Sequence, residues 1–183
     1  AHLRGVRPKG WRAASSIAVE IGELLRAGEK FIYAYYDGVD KIAHERGFGA
    51  FYEAELRSAD ALVANIKEVL VSGSVLLVTA DHGQVMVGTN TLPPHANVLA
   101  MTAYQSGEGR FRWLHARNGT EVELLARATQ YHSDCAWVVS KEQIIDEQWL
   151  GPRLGPATRK RLGDVALVPR DAISFDDPAD TGP

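Results

Sequence analysis

Two short clusters of acidic residues and histidines stand out for the chemistry they could do: Asp40 and His44 in DGVDKIAH (residues 37–44), and Asp81 and His82 in the stretch Asp81-His82-Gly83. Carboxylate and imidazole are the donors a zinc-like divalent cation takes when thiolates are absent. Asp40 and His44 are four residues apart, so one turn of helix turns both toward the same side, where a single ion can be gripped by both. Asp81 and His82 are adjacent and would face opposite ways within a regular strand. At a strand-to-loop transition, with Gly83 permitting a sharp turn, both can bend toward a neighbouring ion. Two such pairs suit a two-metal hydrolase, in which one ion holds the attacking oxygen and the other the leaving oxygen. Taken singly, each motif is weak: Asp-x-x-x-His recurs by chance, and Asp-His-Gly can be an ordinary turn. Their combination carries the inference, because each follows its own hydrophobic run with one helix between.

Those runs are the elements that must position the pairs. FIYAYY (31–36) and VLLVTA (75–80) are short, continuously apolar stretches, which read as buried strands covered on both faces. Between them, from about Ala50 to Leu70, Tyr52, Leu56, Ala59, Leu62, Val63, Ile66 and Leu70 recur at helical spacing. The unit is a strand, a helix and a strand, most simply a parallel right-handed crossover. In an open parallel sheet, ligands bind beyond the carboxyl ends of the strands, so both motifs are expected on one rim. Upstream, the spacing predicts an amphipathic helix from Ser15 or Ser16 to Arg26, with Ser16 as cap and Gly28 as stop. Downstream, Arg110–Ala116 alternates as a half-exposed strand, Glu121–Tyr131 is helical, Ala136–Val139 is a short strand and Lys141–Glu147 a helix. GDVALV (163–168) reads as a strand returning to the main sheet, before the polar, turn-rich tail DDPADTGP.

Other residues invite the same chemistry. Thr79 sits two residues before Asp81, but inside an apolar run it reads as a buried strand threonine rather than a nucleophile. His95, His115 and His132 are each read as surface or satisfied structural histidines. Of these, His95, in a loop after Pro93-Pro94, is the best substitute ligand. Asp37 suits turn chemistry before Gly38, with orientation of His44 as the alternative. His44-Glu45 lacks the second histidine of a zincin motif. Arg110, Arg112 and Trp113 read as a solvated strand face, and Glu53, Glu55 and Arg57 as the polar face of the crossover helix.

Composition narrows the classes. Lys+Arg 20 against Asp+Glu 23 leaves a formal net charge of -3, without the broad basic face that binding a nucleic-acid backbone requires. No run approaches the roughly 20 apolar residues of a spanning helix. Cys135 is the single cysteine, so neither an intrachain disulfide nor a CxxC zinc site is available. A reducing compartment agrees with that, and a cytoplasmic location is the expectation. AHLRGVRPKG lacks the apolar core of a signal peptide, and the chain is read as cut from a longer protein at both ends.

YAYYDGVDKIAH followed by VLLVTADHG resembles the alkaline phosphatase superfamily, and within it the type I phosphodiesterase/nucleotide pyrophosphatase branch. QSGEGRFRWLHA, AWVVSKEQIIDE and GDVALV extend the resemblance over essentially the whole chain. It implies an α/β fold with a mostly parallel central sheet and helices on both faces. Residues 1–90 and 160–183 would form parts of that core, and 91–159 a small α/β insertion packed on it. It also implies hydrolysis of a small phosphoester or nucleotide substrate with two divalent metal ions, zinc or alternatively manganese. Asp40 and His44 match two ligands of one ion, and Asp81 and His82 two ligands of the other. The family's Thr or Ser nucleophile is expected upstream, and its last histidine ligand has no counterpart after Gly163. This chain alone is therefore expected to be inactive. A cofactor-independent phosphoglycerate mutase carries similar signatures, although its histidine usually follows Gly where Ala43 stands here. A sulfatase would need a formylglycine-forming motif. A non-catalytic metal-binding module is the alternative of a different class.

Overall fold

In the computed structural model, which describes residues 5–179, the chain divides into two compact units between Gln84 and Val85. The class is α/β, as expected: helices accompany a two-stranded parallel sheet and a four-stranded antiparallel one. Among the described residues no helix is long and apolar enough to cross a membrane. The last four residues of the predicted polar tail lie outside the described range.

The first unit is built on helices α1 (Ser15–Arg26), α2 (Gly38–Arg46) and α3 (Ala50–Val69). The apolar stripe of α1 supplies Ile17, Ala18 and Ile21, which bury against Ile66 of α3, with Leu25, Leu62, Val69 and Leu70 around them. Ser16 does not cap α1; its hydroxyl donates to the Ala13 carbonyl at 2.8 Å, inside the first turn.

Among the described residues, the two runs expected to be buried strands form no regular secondary structure and join no ladder, and most of their side chains are exposed. Ile32, Tyr36 and Leu76 pack on the helical core. On the other side Phe31 is 85% exposed, Val75 91% and Leu77 83%. Thr79 is exposed as well, a second departure from expectation. The physical reason is that a strand is buried only when ladder partners and a second covering layer are present. Among the described residues these runs have a cover on one side alone.

The second unit carries strands β1 (Thr91–Leu92), β2 (Thr102–Glu108), β3 (Phe111–Ala116), β4 (Ala136–Ser140), β5 (Val165–Pro169) and β6 (Ser174–Phe175). Its helices are α4 (Ala96–Leu99), α5 (Glu121–His132), α6 (Lys141–Asp146) and α7 (Pro156–Arg159). The antiparallel sheet has the order β2-β3-β5-β4, and β1 pairs with β6 in parallel. β5 is thus an interior strand beside β3 and β4, not the expected strand returning to a sheet with residues 31–36 and 75–80. Its continuous apolar pattern has a simple cause. Val165 and Leu167 face the core that holds Leu124 and Ala128 of α5, while Ala166 faces the opposite cluster with Ile144 of α6. Each fully buried side chain such as Leu114, Leu124 or Ile144 stabilises the fold by about 1.5–3 kcal/mol.

Asp164 clamps this sheet at its entry. One carboxylate oxygen takes the Lys141 ammonium at 2.6 Å and the other the Ala116 N–H at 2.9 Å. Arg110 and Arg112 do not form a solvated face. Arg110 donates to the Asp171 and Ile173 carbonyls and Arg112 to the Phe175 carbonyl, tying the hairpin to the C-terminal segment.

Candidate metal centre

The first pair is positioned by α2, and α2 begins where the sequence requires it to. Asp37 accepts the Lys41 N–H at 3.0 Å on its carbonyl, and its carboxylate pairs with the Lys41 ammonium at 2.8 Å. Asp37 therefore does the turn chemistry and does not reach His44. The Lys41 hydrogen bond holds the Asp37 carboxyl below its ordinary range. Gly38 is needed because Tyr36 folds back over it: a Cβ there would collide with the Tyr36 hydroxyl and the Glu55 carboxylate. Tyr36 donates to that carboxylate, which pushes its own hydroxyl up to about 12. At the other end, Gly47 takes a φ of 65° and its N–H closes the helix on the Ala43 carbonyl.

Within α2, Asp40 and His44 meet as their spacing predicts, with Nε2 of His44 3.6 Å from Oδ1 of Asp40. The second pair lies just after the apolar run 75–80. Nε2 of His82 is 3.8 Å from Oδ1 of Asp81, and the same Oδ1 accepts the His82 N–H at 3.1 Å. Nδ1 of His82 is 3.1 Å from the Gly83 carbonyl oxygen. A carbonyl only accepts, so Nδ1 is the donor in this contact. Ligating histidines are commonly oriented in this way, one ring nitrogen donating to a backbone oxygen. All four side chains are solvent-accessible, and among the described residues none is paired with a Lys or Arg.

One residue that the motif reading passed over joins the two regions. Gln84, three positions after Asp81, donates from Nε2 to Oδ1 of Asp40 at 3.0 Å. Its Oε1 accepts the hydroxyl of Tyr52, on α3, also at 3.0 Å. Tyr52 was legible only as one apolar position of a helical stripe, and Gln84 only as a polar residue after a turn. Nothing in their spacing announces the bond.

The donor set can be tested against the cations that the motifs imply. Two zinc bonds of about 2.0–2.1 Å meeting at a tetrahedral angle place their donors roughly 3.4 Å apart. The observed separations of 3.6 and 3.8 Å are slightly wider, and a small side-chain rotation closes them. Each pair therefore fits as two ligands of one ion. Among the described residues, no three His, Cys, Asp or Glu side chains gather around one point, so neither pair is a closed site.

Among the described residues, the other histidines are spent on structure. Nδ1 of His95 accepts the Asn97 N–H at 3.1 Å, and its ring stacks on Tyr131 at a centroid distance of 3.7 Å. His115 is buried, with Nε2 2.9 Å from the Ser106 hydroxyl. Nε2 of His132 accepts the His95 N–H at 3.1 Å. His95 is thus committed within the second unit, where the substitute-ligand role has no support.

Residues 17–125 match the family described as the BREX system PglZ alkaline phosphatase-like domain. The chain belongs to that family. The match covers more than half of the chain and includes Asp40, His44, Asp81 and His82. Membership of this PglZ family bears out the resemblance to the alkaline phosphatase superfamily, and it does not extend to the nucleotide pyrophosphatase branch. No curated protein matches the chain.

Proposed function

We propose that this PglZ-like domain serves a metal-dependent phosphoester hydrolase, with Asp40 and His44 binding one divalent cation and Asp81 and His82 a second. Zinc suits the mixed carboxylate and imidazole donors, and manganese is the alternative. The observation that carries this reading is the placement of an imidazole beside a carboxylate in each motif, with Nε2 3.6 Å from Oδ1 in the Asp40–His44 pair and 3.8 Å in the Asp81–His82 pair. When bound, two such cations supply a clamp on the attacking and leaving oxygens of an in-line displacement at phosphorus. The chain's own part is to hold each carboxylate and imidazole with a lone pair free. The accessible setting of the pairs suits a small phosphate monoester or diester.

The nucleophile is not assigned to this chain. Thr79, the hydroxyl nearest Asp81 in sequence, is directed to the Ala80 carbonyl at 3.3 Å. Two donors per ion are fewer than the three or four protein ligands of closed or catalytic zinc sites. The 183 residues alone should therefore bind cations weakly and turn over no ester.

The test is hydrolysis of p-nitrophenyl phosphate and bis-p-nitrophenyl phosphate by the full-length protein, with and without EDTA. Turnover abolished by the chelator and restored by zinc or manganese is the expected result. Chelator-insensitive turnover would overturn the mechanism. Cation uptake with no turnover of either ester would favour a non-catalytic metal-binding module, which the lack of a three-donor cluster already makes the second reading.

A further inference from the structure

We propose that Gln84 is a positioning residue for the Asp40 cation site, itself held by Tyr52; this rests on the reading that Asp40 and His44 bind a cation. The orientation of the Gln84 amide is dictated by its partners. An ionised carboxylate can only accept, so the amide NH2 must face Asp40. The amide oxygen is left to take the Tyr52 hydroxyl proton. A flip would set oxygen against oxygen at Asp40, so the relay from Tyr52 through Gln84 to Asp40 has one direction.

The relay addresses a specific weakness of the site. Asp40 and His44 are accessible, with the His44 side chain 79% exposed, and an aspartate in that setting would sample several rotamers. Both hydrogen bonds of Gln84 are partly buried, so they outlast competition from water better than an exposed contact would. A carboxylate oxygen has two lone pairs. Gln84 occupies one on Oδ1 and fixes the carboxylate plane, leaving the other lone pair, together with Oδ2, for a cation shared with His44. Because Gln84 follows Asp81 by three residues, the same bond also tethers the second pair's loop to α2.

Isothermal titration of the full-length protein with zinc chloride, alongside circular dichroism of the metal-free protein, tests this. Gln84→Ala should weaken the Asp40 site about 10–100-fold, the usual cost of losing a hydrogen-bond partner of a ligand. Tyr52→Phe should weaken it less, in the same direction. Gln84→Glu, which replaces the amide with another cation donor, should keep or raise the affinity. Unchanged affinity in both Gln84→Ala and Tyr52→Phe, with the wild-type chain binding zinc, would overturn the positioning role while leaving the metal reading intact. A shift in metal-free melting with no change in affinity would make the relay purely structural, and also overturn it. If the wild-type full-length protein takes up no zinc, and Asp40→Asn titrates identically, the metal reading itself falls and this inference falls with it.

Discussion

At the residue scale, the decisive groups are those whose lone pairs are committed or free. His82 gives its Nδ1 proton to the Gly83 carbonyl, and Thr79 directs its hydroxyl to the Ala80 carbonyl. The first contact orients the His82 ring, and the second is a long, exposed bond to the adjacent carbonyl. His82→Ala should therefore abolish zinc uptake at the second pair, whereas Thr79→Val should leave both zinc titration and ester turnover of the full-length protein unchanged. Loss of turnover in Thr79→Val, with folding intact, would reinstate Thr79 as a nucleophile. The four ligand candidates were legible from type and spacing because a helical turn or a strand end fixes where neighbouring side chains point. Gln84 and Tyr52 were not. An amide 44 residues from its carboxylate partner leaves no periodic trace, and only tertiary structure brings the two within 3.0 Å.

At the scale of elements, the sequence pattern served helices better than strands. α3 runs Ala50–Val69, where its apolar stripe predicted it, because a helix satisfies its own backbone and needs only one buried face. A strand borrows its hydrogen bonds from a neighbour, which apolar composition alone does not identify. That is why 31–36 and 75–80 read as buried strands but are exposed and outside any ladder among the described residues, and why the pattern of β5 shows a strand without showing that its partners are β3 and β4. The buried histidines of the second unit add a pH dependence. Burial pushes His115 and His132 below the ordinary imidazole value of 6.5; at His132 the neighbouring His95 adds to this, while Asp164 beside His115 and Asp134 beside His132 oppose it. The unfolded chain then takes up protons near that value while the folded unit resists them. Stability is full above it and declines as the pH falls toward the depressed folded values. Melting followed from neutral pH to about pH 5 should show a falling midpoint. His132→Gln, which keeps an acceptor for the His95 N–H without a titrating ring, should flatten that fall. An equal slope in the variant would remove His132 from the account.

At the scale of the whole molecule, the α/β class was evident from alternating apolar runs and helical stripes, but which strands share a sheet was not. The exposed apolar sides of 31–36 and 75–80 make the chain prone to self-association, since an apolar patch in water is stabilised by almost any contact that covers it. The chain should bind the dye ANS strongly. Replacing Phe31, Val75 and Leu77 together with serine should lower that fluorescence and raise solubility without loss of helical circular dichroism. Undiminished dye binding would place the exposed surface elsewhere. The interior position of β5 has a consequence for biosynthesis. On the ribosome, β2 and β3 can close at once as a hairpin, whereas β4, which among the described residues pairs with β5, waits for the last of the four strands to emerge. A premature stop before Val165 would release a nascent chain that keeps the hairpin and α5 but leaves β4 without that ladder and the facing edge of β3 open.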